Sequence, residues 1–203
     1  QTPPTKTTWL FSATMAKEVE RIARNYMADP FKITVGRQNE GGKNIDHKFY
    51  LVQNRHRFAA LKRIVDVNPD IFGLIFCRTK RDTQEISDRL IAEGYNVDAL
   101  HGDLSQHQRD RVMDKFRERK IQLLCATDVA ARGIDVNDIT HVINYELPED
   151  IESYTHRSGR TARAGKKGES LAIITDRDKY KIKRIEKIIQ KKFTQAKVPS
   201  GDV

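Results

Sequence analysis

Short runs rich in Ile, Leu and Val alternate along most of the chain with longer segments whose apolar residues repeat every three or four positions. The short runs predict β-strands, and the longer segments predict amphipathic α-helices. From residue 46 onward the predicted strands are 46–52, 72–78, 97–100, 121–126, 141–145 and 170–175. The predicted helices begin at about Phe58 and then occupy 83–94, 106–116, a segment through Tyr154, and 179–192. This alternation predicts an α/β domain with a mostly parallel sheet and helices on both faces.

The amino-terminal part carries a shorter version of the same pattern. The stretches WLFSAT at 9–14 and FKITV at 31–35 are predicted strands, and 16–26 is a predicted amphipathic helix between them. The apolar face of this helix is predicted to carry Val19, Ile22, Ala23 and Tyr26. The stretch GRQNEGGKN at 36–44 is polar and rich in glycine, which predicts a linker before the main domain.

The formal net charge is +9, and the basic excess is concentrated toward the carboxyl terminus. From Lys166 onward the chain contains eleven Lys or Arg and five Asp or Glu. The helix predicted there places a basic outer face above four apolar positions, Ile182, Ile185, Ile188 and Ile189. Such a face is typical of a solvated surface helix or of a surface that binds nucleic acid, and charge alone leaves both interpretations open.

Other features of the composition argue against membrane, disulfide and metal-binding classes. No apolar run approaches about 18 residues and no signal peptide opens the chain, so no contact with a membrane is expected. Cys77 and Cys125 each lie inside an apolar run, which predicts buried thiols and a reducing, cytoplasmic setting. The histidines lack the spacing of metal ligands, so no metal site is expected in this chain.

Polar segments follow three of the predicted strands. Arg78 and Thr79 follow the strand LIFC, the segment 101–109 follows VDAL, and the segment 127–135 follows IQLLCA. In open parallel sheets, ligands bind in the crevice beyond the carboxyl ends of the strands. The three segments therefore predict a binding site at one edge of the sheet.

The segment 101–109 contains groups that suit a phosphate. Asp103 and Gln106 have the spacing of a helix N-cap and its reciprocal partner, which places the positive end of a helix beside Gly102. Arg109 lies about one turn into that helix. A plain capped helix with a surface arginine is the alternative interpretation of this segment.

The segment 127–135 contains groups that suit a nucleoside. Thr127 supplies a hydroxyl at the end of a strand, and Gly133 permits a sharp turn before Asp135. The Asp135 carboxylate is either a turn residue or an acceptor of hydrogen bonds from ribose hydroxyls.

The stretch HRSGRTARAG at 156–165 contains three arginines and no carboxylate. If its first part is helical, Arg157, Arg160 and Arg163 fan over one face as unpaired cations. The stretch GRTARAGKK at 159–167 resembles a phosphate-binding loop, but five residues separate its glycines and a lysine replaces the hydroxyl that binds Mg²⁺. The arginines therefore look like the other half of a triphosphate site.

Five motifs together resemble those of DEAD-box RNA helicases, in the same order and at similar spacing, over nearly the whole chain. They are FSAT at 11–14, LIFCRT at 74–79, HGDLSQHQR at 101–109, ATDVAARGID at 126–135 and HRSGRTARAG at 156–165. The resemblance implies a RecA-like domain of the P-loop NTPase type, in a bacterial-type member of the family. It also implies four parts, which are a remnant of the first RecA-like domain at 1–35, a linker at 36–44, the second RecA-like domain at 45–193 and an exit segment at 194–203.

The resemblance implies roles for individual residues. Arg160 and Arg163 match catalytic arginines that reach the γ-phosphate of ATP when the two domains close, and Gly133 and Asp135 complete the ATP-binding set, with Asp135 as the ribose contact. The positions that match residues coupling the two domains are Ser12, Thr14, His156 and Arg157. The positions in segments that grip the RNA backbone are Arg78, Thr79, Gly102, Gln106, Arg109 and Thr127.

Two positions depart from the family pattern. Arg78 stands where many members have Asn, and Ala162 stands where many have Gly. These departures affect the expected RNA contacts and loop geometry rather than the family assignment.

The implied protein is a cytoplasmic ATP-dependent RNA helicase that separates short duplexes as two RecA-like domains close. Its ligands are RNA and ATP with Mg²⁺. The ATP and Mg²⁺ are bound mainly by the first domain, so the fragment alone is expected to be inactive as an ATPase. A non-enzymatic RNA-binding module and a DNA-directed ATPase are the alternatives. Residues 1–35, with apolar strands that lack neighbours, are expected to be mobile or to drive self-association as a product of truncation.

Overall fold

The computed structural model describes residues 3, 6–12, 17–33, 42 and 44–200 of the chain. It divides into two compact units, Gln1–Glu40 and Gly41–Val203. Most of the predicted linker at 36–44, and Thr14, lie outside the described residues. The division into a domain remnant, linker, domain and exit segment stays a prediction.

The first unit contains helix α1, Lys17–Tyr26, where a helix is predicted. The predicted strands that flank this helix do not form at residues 9–12 and 31–33, and Phe11 and Phe31 are 85% and 91% exposed. A strand needs a neighbouring backbone to satisfy its N–H and C=O groups, and none pairs with these residues within the described part of the chain. The apolar face predicted for α1 is also open, because Ile22 and Tyr26 are exposed.

The second unit is built on seven strands in the order β3-β4-β2-β5-β6-β1-β7, and every pairing is parallel. The strands are β1 Ile45–Leu51, β2 Gly73–Phe76, β3 Val97–Leu100, β4 Leu123–Ala126, β5 His141–Asn144, β6 Gly168–Ile174 and β7 Thr194–Ala196. The remaining helices are α2 Arg57–Asp66, α3 Lys80–Ala92, α4 Gln106–Arg117, α5 Ile151–Ser158 and α6 Lys179–Ile189. The predicted parallel α/β class is confirmed.

Helices cover both faces of the sheet. Successive strand residues point to opposite faces, and apolar side chains on both faces need to be buried. Ile75 of β2 packs in one core with Leu61 of α2 and Leu90 of α3. Its neighbour Phe76 packs on the other face, in a second core with Phe116 of α4. A third core lies beneath α5 and α6 and contains Tyr154, Ala172, Ile182, Ile185 and Ile189.

Both cysteines are buried free thiols, as the sequence predicts. Burial raises the pKa of Cys77 to about 12 and also raises the pKa of Cys125 above its usual value. These thiols are therefore packing groups rather than nucleophiles. No helix among the described residues is long and apolar enough to cross a membrane.

The structure differs from the sequence prediction after α6. Residues 194–196, placed by the sequence in a segment that leaves the domain, form β7 beside β1. Phe193 is buried against the rings of His47 and Tyr154, which holds the following residues alongside Lys48–Tyr50. Without β7, this side of β1 would expose unpaired backbone groups at the edge of the sheet.

A buried polar chain joins β1, α5 and β6. His47 is 4% exposed, and its Nδ1 lies 2.7 Å from the hydroxyl of Tyr154, which lies 2.9 Å from Ser170 Oγ. The other ring nitrogen of His47 has no hydrogen-bond partner among the described residues. Burial, followed by the charge of Lys191, lowers the pKa of His47 from 6.5 to about 4.

This burial predicts a loss of stability in mild acid. The unfolded chain binds a proton at His47 below about pH 6.5, whereas the folded chain does so only near pH 4, so stability falls as the pH drops between these values. Between pH 7 and pH 5 the loss attributable to His47 is about 2 kcal/mol. Urea unfolding of wild type and of His47→Gln at both pH values measures it, with His107→Gln, at an exposed position of α4, as control. An unchanged pH dependence in His47→Gln would contradict the assignment.

Candidate functional site

The loops that follow β2, β3 and β4, hereafter the carboxyl-edge loops, lie side by side because these strands are neighbours in the sheet. Arg78 and Thr79 follow β2, Gly102 follows β3, and Thr127 follows β4, as the sequence predicts. The Thr79 hydroxyl accepts a hydrogen bond from the Asp82 backbone N–H at 3.0 Å and so caps α3. Arg78 is exposed, and its guanidinium lies 3.5 Å from the carboxylate of Glu149.

The cap of α4 differs from the prediction. Ser105, not Asp103, is the N-cap residue, and its hydroxyl accepts from the Gln108 N–H while the Gln108 side chain accepts from the Ser105 N–H. Ser105 and Gln108 have the same spacing as the predicted pair, two residues later, and Ser is a favoured cap. Asp103 instead pairs with Lys80, and Gln106 donates to Asp110 at 2.7 Å.

Arg109 links α4 to the loop after β4. Its guanidinium donates to the backbone carbonyl of Ala130 at 3.3 Å. The Thr127 hydroxyl accepts from the N–H of the same residue, also at 3.3 Å, and Thr127 is buried. Arg109 and Thr127 therefore hold one loop in place, and the structure brings these two predicted site residues together.

Arg157 is not one of three cations on an open face. It is 1% exposed, and its guanidinium donates to both carboxylate oxygens of Asp128, at 2.6 and 2.7 Å. It also donates to Asn144 Oδ1 at 3.0 Å and to the Glu146 carbonyl at 2.8 Å. Arg157 thus ties α5 to the loop after β4 and to the end of β5. Sequence reasoning missed Asp128 and Asn144, although a polar Asn at the end of an apolar strand is a usable signal.

The helix that carries His156 and Arg157 ends at Ser158, so the arginine stretch is not one continuous helical face. The chain then folds back, and the buried Thr161 hydroxyl donates to the carbonyls of Ile139 and Thr140. Ala162 has a φ of 58°, a left-handed conformation that costs an alanine about 1–2 kcal/mol. Glycine, which many family members have here, avoids this cost.

Gly168 lies directly beneath this turn. A Cβ atom at position 168 would lie 2.0 Å from Thr161 Oγ1, so only glycine allows the turn to pack on β6. The turn after α5 is therefore fixed from both sides, by the hydroxyl of Thr161 and by the missing side chain of Gly168.

The predicted ATP-binding residues lie close together on two segments of the chain. Gly133 and Asp135 are on the connection between β4 and β5, and Arg160 and Arg163 are on the turn after α5. Arg163 Nη1 lies 2.8 Å from the Asp135 carboxylate, which is 88% exposed, and Arg160 Nη1 donates to the Ile134 carbonyl at 3.0 Å. Gly133 has a φ of +77°, a left-handed turn that glycine adopts without strain. Burial and the neighbouring Arg163 charge lower the pKa of Arg160.

Two clefts meet at Arg160. One lies between α5 and the loop after β4, and its lining includes Asp128, Arg132 and His156. The other is strongly basic, and its lining includes Arg119, Asp138, Arg163, Lys166 and Lys167. Cations that converge on a hollow beside an exposed carboxylate suit the phosphates and the ribose of a nucleotide.

The fold defines a RecA-like α/β domain, with Asp135, Arg160 and Arg163 close together on its surface. The model of the helicase conserved C-terminal domain family matches residues 56–165. The DEAD-box ATP-dependent RNA helicase CshA of Bacillus cereus is 42% identical over 200 residues, which cover 98% of this chain and 38% of that protein. The CshA protein of Limosilactobacillus reuteri is 39% identical over 202 residues, covering 41% of its length.

Solved structures agree with these sequence relatives. A DEAD-box protein from Methanococcus jannaschii is 45% identical, with a TM-score of 0.72 over 92% of this chain and 50% of that chain. Saccharomyces cerevisiae Dbp5 bound to RNA and ADP BeF3 is 31% identical, with a TM-score of 0.87 over 97% of this chain and 52% of that chain. Escherichia coli DEAD-box protein SrmB, bound to the regulator RraA, is 30% identical, with a TM-score of 0.70 over 76% of this chain and 91% of that chain.

This chain belongs to the DEAD-box RNA helicase family and contains its conserved C-terminal helicase domain. It spans about two fifths of the length of the curated relatives that it matches.

Proposed function

We propose that this chain supplies the second RecA-like domain of an ATP-dependent RNA helicase. The observation that carries the proposal is the position of Arg160 and Arg163 beside Asp135, with 2.8 Å between the Arg163 guanidinium and the Asp135 carboxylate. Binding RNA alone needs neither an arginine pair nor a ribose acceptor at this place. The arrangement therefore favours ATP hydrolysis over a non-enzymatic RNA-binding module.

The residues present fit one end of an ATP site. Arg160 and Arg163 stabilise the negative charge that develops on the γ-phosphoryl group, a role worth about 10³–10⁵ in rate for arginines of this kind. Asp135 accepts hydrogen bonds from the ribose hydroxyls. Mg²⁺ and the remaining phosphate contacts are assigned to the first RecA-like domain, because the sequence of this chain has no phosphate-binding loop.

RNA is assigned to the carboxyl-edge loops. The proposed contacts to its sugar-phosphate backbone come from Arg78, Thr79, Gly102, Gln106, Arg109 and Thr127. Contacts to phosphate and sugar carry no sequence information directly, so we expect little sequence preference. Closure of the two domains on ATP would align these loops with those of the first domain and bend one strand out of a short duplex.

The coupling of the two domains is assigned to Ser12, Thr14, His156 and Arg157. Since Arg157 is buried and paired with Asp128, its proposed part is to position α5 and the loop after β4. Residues 1–35 are proposed as the end of the first RecA-like domain and 45–193 as the second. A cytoplasmic location is part of the proposal, and self-association through 1–35 stays a prediction.

Turnover assays test this proposal. The full-length protein is expected to hydrolyse ATP when RNA is present and to separate short RNA duplexes. The 203-residue chain is expected to show no turnover above background, since the phosphate loop and the metal-binding acids are not in its sequence. Turnover by the 203-residue chain would contradict this division of labour. Stimulation of the full-length protein by DNA alone would favour a DNA-directed ATPase, and RNA binding without turnover would favour a binding module.

A further inference from the structure

The outer face of α6 is basic along the second half of the helix. The helix has the sequence KYKIKRIEKII, and its inner face buries Ile182, Ile185 and Ile189. Lys183, Arg184 and Lys187 lie on the exposed face and are hereafter the α6 stripe. Lys183 and Lys187 are four residues apart, about 6 Å along the axis, and Arg184 is three residues from Lys187. The three cations are therefore neighbours on one surface.

The α6 stripe groups three neighbouring basic side chains without acidic partners, whereas many basic side chains on α3 and α4 are paired. On α4, Lys115 pairs with Asp98 at 3.1 Å and Arg117 with Asp114 at 3.0 Å. Within the described part of the chain, no carboxylate lies within 4.0 Å of the basic groups of the α6 stripe. Like charges three and four residues apart destabilise a helix slightly. The α6 stripe therefore lowers the stability of the helix, and solvation of the surface alone does not require such a cluster.

One end of α6 lies beside the carboxyl-edge loops. The carboxylate of Glu149 lies 3.5 Å from Arg78, which follows β2, and 3.3 Å from Lys181 of α6. At the other end, Lys191 Nζ donates to the carbonyl of Ile45, the first residue of β1, at 3.2 Å. The helix therefore runs from the edge of the sheet that carries the proposed RNA contacts toward the opposite edge.

A shallow hollow adjoins the last turn of the helix. Its lining includes Lys183, Lys187, Lys191 and Lys192. It also includes Glu186, whose carboxylate accepts from the Phe193 N–H at 2.9 Å and lies 3.4 Å from Lys192 Nζ. The negative end of the helix dipole favours cations in the last turn, which accounts for Lys187 but not for Lys183 and Arg184.

We propose that the α6 stripe binds the phosphate backbone of RNA that extends beyond the carboxyl-edge loops, along this flank of the domain and without reading sequence. The inference rests on the proposed function, which places RNA on those loops. It adds a contact surface outside the segment that is clamped when the domains close. A flexible polyphosphate suits a row of unpaired cations, because each contact releases a condensed counterion.

The test compares short and long single-stranded RNA, of about six and about twenty nucleotides, because six cover one small site and twenty extend well beyond it. Binding is measured by fluorescence anisotropy on the full-length protein, with and without a non-hydrolysable ATP analogue and at several salt concentrations. The variant K183Q/R184Q/K187Q is expected to bind the long RNA about tenfold more weakly at about 0.1 M salt, with a log–log salt slope shallower by about 2. Its affinity for the short RNA is expected to change less than about twofold, since the loops are intact.

The matched control is K115Q/R117Q/K120Q, which removes the same net charge from side chains that have acidic partners. It is expected to keep the wild-type affinity and salt slope for both RNAs. Equal losses of long-RNA affinity in the two triple variants would overturn the proposal, because net charge alone would then explain the binding. No loss of affinity in the α6 variant would also overturn it, and the α6 stripe would then be a solvated surface. Polyglutamate binding that depends on the α6 stripe would instead indicate an acidic protein partner. A failure of the ATP analogue to strengthen short-RNA binding would count against the proposed function and not against the α6 stripe.

Discussion

In the full-length protein, Arg163→Ala is expected to lower kcat for RNA-stimulated ATP hydrolysis by about 10³-fold, and Arg160→Ala by a similar factor. Each guanidinium is proposed to offset charge that develops only as the γ-phosphoryl group is transferred, so the loss should appear in kcat rather than in folding. The ion pair between Arg163 and Asp135 lies near the surface, with the carboxylate 88% exposed. Its removal should change the free energy of unfolding by less than about 1 kcal/mol.

Steady-state kinetics and thermal unfolding of the same preparations check this result. Arg177→Ala, at an exposed position after β6, removes an arginine that is not among the proposed site residues and is the control. It should retain the wild-type kcat and melting temperature. If Arg163→Ala instead caused a large fall in the melting temperature together with the loss of kcat, the residue would be structural and the proposed catalytic role would be wrong.

In contrast to Arg163→Ala, Arg157→Ala is expected to lower the stability of the domain, by about 3–5 kcal/mol. The substitution leaves the Asp128 carboxylate without its partner in a partly buried position. The Arg157 guanidinium also satisfies Asn144 Oδ1 and the Glu146 carbonyl, and it lies 5.0 Å from the ring centroid of Phe76. Removal of this one side chain therefore affects α5, β5 and the loop after β4 together.

Urea unfolding measures this loss, with Arg78→Ala as an exposed arginine control that should cost less than about 1 kcal/mol. The double variant Arg157→Ala with Asp128→Ala should cost less than the sum of the two single variants, because each single change leaves a charge uncompensated. A loss below about 1 kcal/mol in Arg157→Ala would contradict the buried network.

The three arginines of one motif thus have different expected phenotypes, which their spacing alone does not predict. Sequence reasoning placed Arg157, Arg160 and Arg163 on a single helical face. In the structure, Arg157 is the one arginine of α5 and is buried. The helix ends at Ser158, and Arg160 and Arg163 lie in the turn beyond it. Where α5 ends, and what lies beneath it, depend on β4, β5 and β6, which lie outside the stretch of sequence that predicts the helix.

Local chemistry determined most of the second unit. The apolar runs and helical repeats that predict its first six strands and its helices are properties of short windows, since burial of one face by neighbouring elements requires that periodicity. The cap of α4 is local as well, and the S-x-x-Q pattern of Ser105 and Gln108 was available in the sequence. The polar loops at the carboxyl ends of β2, β3 and β4 were also predictable, because parallel strands bring such ends to one edge.

Only the tertiary structure decided which charges are buried and which backbones are paired. Residues 9–12 and 31–33 have strand-like sequences but form no strand, while 194–196 lack such a sequence and form β7. A strand exists only when another backbone accepts its hydrogen bonds, and β1 offers that partner to β7. The Arg157 guanidinium likewise tolerates burial only because Asp128, Asn144 and Glu146 converge on it from separate parts of the chain. The sequence by itself determined the family, the helices and the first six strands of the second unit. The contacts between elements decided which other backbones pair and the state of each charge, because desolvation depends on what surrounds a group in space.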